Sequence, residues 1–258
     1  MPFARLCGLF ILAGALADAG LAADYAREER WAQEIVPSLV VGDAIYLTTA
    51  ARPKVLAIIT VPSGESRGGV VVVHGLGVHP DWGLIGGVRT RLADAGYVTL
   101  SVQMPVLAAN ATRDDYRETL PEAGDRIAAA IAYLRAKGSA KIAIVSHSMG
   151  ATMANAYLAR RDAQPVDAWI PIGMFGTFAA SPKEALLDVL AENDLTDVLA
   201  AAPRRASLLR KDGCSKQVTI AGADHYFDAR QQELAARIAM FLERAFERRC
   251  PTDSKKKS

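Results

Sequence analysis

The chain has 258 residues, 51% of them hydrophobic and 22% charged, with a formal net charge of +2. That length suits one α/β domain, and the composition supplies a sizeable core and excludes global disorder. Part of the small positive charge is the C-terminal Lys255, Lys256 and Lys257, read as a solvated tail, so nothing suggests a basic groove and no nucleic-acid partner is expected.

In chain order, Arg5 precedes the apolar stretch "LCGLFILAGALA", and the small residues of "DAGLAADY" follow. This is the order of a secretory signal peptide, read as residues 1–23 with cleavage after Ala22 or Ala23. The stretch is shorter than the about 20 residues that span a bilayer, so a periplasmic or secreted protein without a stable membrane span is expected. Residues 24–43 are read as an N-terminal arm that opens on a short polar helix, 44–250 as the folded domain and 251–258 as a flexible basic tail. Export leaves Cys214 and Cys250, which in an oxidising compartment read as one disulfide. With neither a CxxC nor a Cys/His cluster, no metal site is expected. No Gly-rich dinucleotide or phosphate loop follows a strand, so no cofactor is expected either.

Strands are predicted at residues 44–49, 54–61, 69–74, 98–104, 141–146, 167–173, 184–191 and 216–221. The runs "VVVV", "IAIV" and "VTIA" are continuously apolar, as in parallel strands covered on both faces. Helices are predicted at 82–95, 114–137, 149–161, 197–210 and 230–248. Within the second, Ile127, Ile131 and Leu134 recur at helical spacing, and Gly138 follows its end. An N-terminal hairpin followed by strand–helix units predicts a mostly parallel, doubly wound α/β sheet of about eight strands.

The stretch "KIAIVSHSMGAT" at residues 141–152 carries the chemistry. A serine displayed on a sharp strand-to-helix turn needs small residues two positions before and two after it, or strand and helix collide. Ser146-x-Ser148-x-Gly150 meets that rule although Ser146 stands where glycine is usual. With Ser146 as nucleophile, the β-branched Ile144 would take one of those places, so Ser148 is the candidate. Upstream, "HGLG" ends a buried strand. The N–H of Met149, next after the serine, and that of Leu76 are candidate oxyanion donors, and Gly75 and Gly77 let the backbone bend toward substrate. Downstream, Asp194 and His225 each follow a strand, at the sheet's carboxyl edge where such groups gather. Asp188 falls inside a strand, and Asp197 is placed to cap the helix that follows, leaving Asp194 as the acid. His74 is read as ordering the loop beneath the oxyanion site. His147 is read as packing beside the serine, with a second reading as a substrate contact. His79 is read as lining the pocket rim or capping a helix with Asp81.

The order Ser148, Asp194, His225 is that of α/β-hydrolases. Over roughly residues 44–248 the chain resembles that superfamily. The stretches "HGLGVHPDW", "TLSVQMPV", "SHSMGA" and "AGADHYF" also resemble an uncharacterised bacterial exported branch described only as a domain of unknown function. The superfamily resemblance implies a serine hydrolase working through an acyl-enzyme, carboxylesterase-like, on a small-molecule or acyl substrate. Thioesterase, lipase and peptidase activity, acyl transfer, and a non-catalytic binding protein of the same fold remain alternatives. Only "TFAASPK" separates Gly176 from Glu184, where this fold often inserts a cap, so no large lid is expected. A monomer is favoured.

Overall fold

The apolar runs become the middle of a sheet because alternate residues of one strand find different cores. Val70 and Val72 pack on one face and Val71 and Val73 on the other, all fully buried. The computed structural model describes residues 23–211 and 213–247. The expected signal segment apart from Ala23, the basic tail and Cys250, and with it the expected bridge to Cys214, lie outside the described residues.

Eight strands follow in chain order: β1 (Asp43–Leu47), β2 (Val55–Thr60), β3 (Gly69–Val73), β4 (Val98–Val102), β5 (Ile142–His147), β6 (Ala168–Ile172), β7 (Ala185–Asn193) and β8 (Lys216–Asp224). They form one open sheet in the order β1-β2-β4-β3-β5-β6-β7-β8. β2 runs antiparallel to β1 and β4, and every pairing from β4 to β8 is parallel. Helices α2 (Gly83–Asp94) and α6 (Gln231–Phe246) cover one face through Leu84, Val88, Ile238 and Phe241. Helices α3 (Leu120–Ala136) and α4 (Met149–Leu158) cover the other through Ile127, Ile131, Met153 and Tyr157. Helix α5 (Thr196–Ser207) packs Val198 and Ala202 against Leu190 of β7. Full burial of a Val, Leu, Ile, Phe or Met side chain of this kind contributes about 1.5–3 kcal/mol.

Two differences from the predicted elements have local causes. The helix expected over 114–137 begins as a 3-10 turn (Asp115–Thr119), and α3 starts at Leu120 with Pro121 in its first turn. Proline is preset for that position but would cost an interior turn its N–H bond and clash with it. The N-terminal arm is a 14-residue helix, α1 (Tyr25–Ser38), fastened to the domain rather than only lying on it. The carboxylate of Glu28 meets the fully buried guanidinium of Arg126 on α3 at 3.0 and 3.1 Å, and Arg27 donates to the Leu107 carbonyl at 2.8 Å. Burial pushes the Glu28 carboxyl above its ordinary value, against the pull of Arg126.

Among the described residues no helix is long and apolar enough to cross a membrane.

Candidate active site

β5 ends in a turn whose geometry only a restricted sequence tolerates. Ser148 has φ 55° and ψ −121°, left-handed backbone that a non-glycine residue adopts at a cost of about 1–3 kcal/mol. Its N–H is tied to the Ile172 carbonyl of β6 at 2.9 Å. A side chain at Gly150 would put its Cβ 2.3 Å from the His74 carbonyl oxygen, so α4 leaves the strand only because that residue is glycine. Gly75 also approaches from the β3 loop, its Cβ position lying a tight 3.2 Å from the Ser148 Cβ. Ser146 keeps its hydroxyl occupied: it accepts the indole N–H of the buried Trp169 at 2.9 Å.

His225, at the carboxyl end of β8, sets Nε2 3.0 Å from the Ser148 Oγ and Nδ1 2.6 Å from an Asp194 oxygen. All three residues are 9% exposed or less. Asp194 follows a register shift between β7 and β8 at Ala191 and Asn193, a local irregularity of the kind that re-aims a side chain. Burial alone would raise its pKa, but hydrogen bonds from His225 and from the Ala191 and Leu195 N–H groups outweigh this and hold the carboxyl below its ordinary value. An ionised Asp194 accepting at Nδ1 fixes the tautomer in which Nε2 accepts the serine proton. Gly173 makes room for the pair: a Cβ there would lie 2.9 Å from the His225 ring.

The other residues singled out in the sequence separate by location. Met149 is the first residue of α4, so its N–H has no carbonyl a turn back within the helix and stands at the positive end of the helix dipole. Leu76 lies in the β3–α2 loop, 39% exposed, between buried Gly75 and Gly77, whose φ is +69°. His74 is fully buried; its Nδ1–H donates to the Gly75 carbonyl at 2.8 Å while Nε2 accepts the Met104 N–H at 2.8 Å. Burial lowers its pKa to about 3, so this loop-ordering histidine is neutral. His147 is 2% exposed, and its Nε2–H donates to the main-chain carbonyl of His225 at 2.9 Å. His79 stacks edge-on to Trp31 of α1 at 5.7 Å and accepts the Asp81 N–H at 3.3 Å.

Asp188 is fully buried and accepts from Arg205 at 2.9 Å and Gln217 at 2.8 Å, as a carboxylate on a sheet face must. Asp197 corrects the expectation that it caps α5. Leu195 holds the cap position, and the exposed Asp197 accepts instead from Arg113 at 3.1 Å.

Sequence reasoning missed the support behind the β3 loop. Arg27 of α1 reaches the Gly77 carbonyl at 3.4 Å, and the buried Tyr116 hydroxyl accepts the Leu107 N–H at 3.0 Å. It also missed the aromatic flank, where Tyr226 stands 5.4 Å edge-on to His225 and 5.6 Å from Trp82. The contacts of Arg27 with Gly77 and of Tyr226 with Trp82 join segments distant in sequence, so no short-range signal marks them.

The backbone superposes on solved structures over most of its length. A serine hydrolase without a lid from Xanthomonas campestris matches with a TM-score of 0.63 at 16% identity, covering 83% of this chain and 97% of that one. The chain has the α/β-hydrolase fold. Est1E from Butyrivibrio proteoclasticus matches at 0.61 and 18% identity, covering 80% and 99%. Dienelactone hydrolase from Anabaena variabilis matches at 0.62 and 18%, covering 78% and 96%. Residues 19–123 of this α/β-hydrolase-fold chain match a family described as "Protein of unknown function (DUF3530)". No curated protein matches the chain.

Proposed function

We propose that the protein is a serine hydrolase that cleaves an ester of a small molecule, carboxylesterase-like, through Ser148, His225 and Asp194. The observation that carries this reading is the unbroken relay from Ser148 Oγ to His225 Nε2 at 3.0 Å and from His225 Nδ1 to Asp194 at 2.6 Å. Names of structural neighbours, a serine hydrolase and Est1E among them, support it.

In this reading Ser148 Oγ attacks the carbonyl carbon while His225 Nε2 takes the serine proton. The carbonyl oxygen becomes an oxyanion and accepts from the N–H groups of Met149 and Leu76. Collapse of the tetrahedral intermediate breaks the bond to the alcohol, which leaves with the proton held by His225. Water then attacks the acyl-serine, giving its proton to His225, and the acid departs as Ser148 recovers its own. Asp194 offsets the imidazolium charge at both stages. Export to the periplasm or medium, with residues 1–23 removed, belongs to the same reading.

The test is turnover of p-nitrophenyl esters by purified protein. Hydrolysis that disappears in Ser148→Ala and in His225→Ala supports the reading; turnover that persists in Ser148→Ala overturns it.

A further inference from the structure

Beside Ser148 a trough of about 560 Å³ opens between the start of α3 and α5, a size usual for small-molecule sites. Its apolar lining is Leu120, Met149, Phe175, Ala200 and Ala201. Met149 ties the trough to the chemistry, because it directly follows Ser148 and its N–H is the proposed oxyanion donor. Phe175 borders His225, with ring centres 6.0 Å apart. Ala200 and Ala201 keep the α5 wall low; a bulky side chain at either would fill the space.

The rim is charged but balanced. Arg113 pairs with Asp197 at 3.1 Å and lays its guanidinium over Phe175, 4.5 Å from the ring centre. Arg117 pairs with Asp114 at 3.2 Å. Each cation has its own carboxylate, so the rim offers no surplus charge to an ionised substrate. On the other flank of His225 stands the half-exposed Tyr226 against Trp82. With the acyl carbonyl oxygen on the N–H of Met149, which lines the trough, the acyl group lies at the trough and the leaving alcohol takes the Tyr226 flank.

Resting on the serine-hydrolase reading, we propose that the substrate is an ester whose acyl part is an uncharged, apolar chain held in this trough. Burial of each further methylene there raises kcat/KM about fourfold until the trough is full.

Two ester series test this. In the first, p-nitrophenyl esters run from acetyl to octanoyl and include a hemisuccinate; in the second, the acyl group is always acetyl and the alcohol lengthens. The proposal expects kcat/KM to climb along the acyl series, the hemisuccinate to fall below the neutral ester of equal length, and the alcohol series to stay flat. In Ala201→Trp the octanoyl-to-acetyl ratio falls about tenfold. Ala200→Phe, at a more exposed position, gives the same comparison should Ala201→Trp not fold. A flat acyl series, a climb along the alcohol series instead, a preference for the hemisuccinate, or a ratio unmoved in both variants overturns the acyl trough while Ser148-dependent turnover leaves the hydrolase reading standing. Absence of any Ser148-dependent turnover overturns that reading, and the acyl trough with it.

Discussion

Ser148, His225 and Asp194 were legible because each stands directly after a recognisable strand, so the sheet alone delivers them to one edge. What surrounds them was not legible, because it depends on long-range partners. The hydroxyl of Ser146 satisfies Trp169 on β6, and reverting it to the usual glycine leaves a buried indole N–H without that acceptor. Ser146→Gly is expected to lower stability by about 1–3 kcal/mol in urea unfolding. His147 holds the loop that carries His225 through one bond to its carbonyl, and among the described residues its own Nδ1 meets no hydrogen-bond partner. In the proposed function it positions His225: His147→Phe should lower kcat about tenfold with little change in KM, while His147→Gln, which keeps a donor, recovers part of the loss. A fall in KM-dependent terms alone, or no rescue by Gln, would contradict this role. The two carboxylates near the end of β7 separate in the same way. Asp194→Asn presents the wrong tautomer of His225 and should cut turnover by as much as about 10⁴. Asp197→Asn removes an exposed pair with Arg113 worth about 0–1 kcal/mol and should leave the chemistry on acetyl esters near normal. Equal losses in the two variants at equal folded fraction would overturn the assignment of the acid.

At the scale of elements, the buried strands were plain in the sequence as continuous apolar runs, and the sharp entry into α4 in the spacing of Ser146, Ser148 and Gly150. The anchoring of α1 was hidden. Its sequence is polar, and a polar helix reads as a solvated arm unless one knows that Arg126, a hundred residues on, lies buried beneath it. That contact also reaches the site, since Arg27 on the same helix holds the Gly77 carbonyl of the loop that carries Leu76. Glu28→Ala leaves the guanidinium of Arg126 short of one partner in the interior and is expected to cost about 3 kcal/mol in denaturant unfolding. Replacing both residues, as in Glu28→Leu with Arg126→Met, should recover part of that loss, because no buried guanidinium is then left short of a partner, and Glu122, which loses Arg126, lies nearer the solvent. A Glu28→Ala protein as stable as the wild type would show that α1 is not fastened in this way.

At the scale of the whole molecule, two buried neutral histidines set how stability depends on pH. Burial lowers the pKa of His74 to about 3 and of His147 to about 4. In the unfolded chain both return to about 6.5, so between these values the unfolded state binds more protons and stability falls as pH falls. From pH 6.5 to pH 5 each contributes a loss of about 1.5 kcal/mol. Glu28, Asp188 and Glu184, whose carboxyls are raised by burial, act in the opposite direction, and their share is common to wild type and variant. Thermal unfolding over that range should therefore show a shallower acid loss in His147→Gln than in the wild type; identical slopes would contradict a buried, neutral His147. The doubly wound order of the sheet brings separate strand ends to one edge, and in the proposed function that edge activates Ser148. The direct measurement is reaction with a fluorophosphonate followed by intact mass and peptide mapping. A single adduct per chain is expected, on Ser148, absent from Ser148→Ala and slowed in His225→Ala. A folded protein that stays unmodified, or an adduct mapped to Ser146, would contradict it.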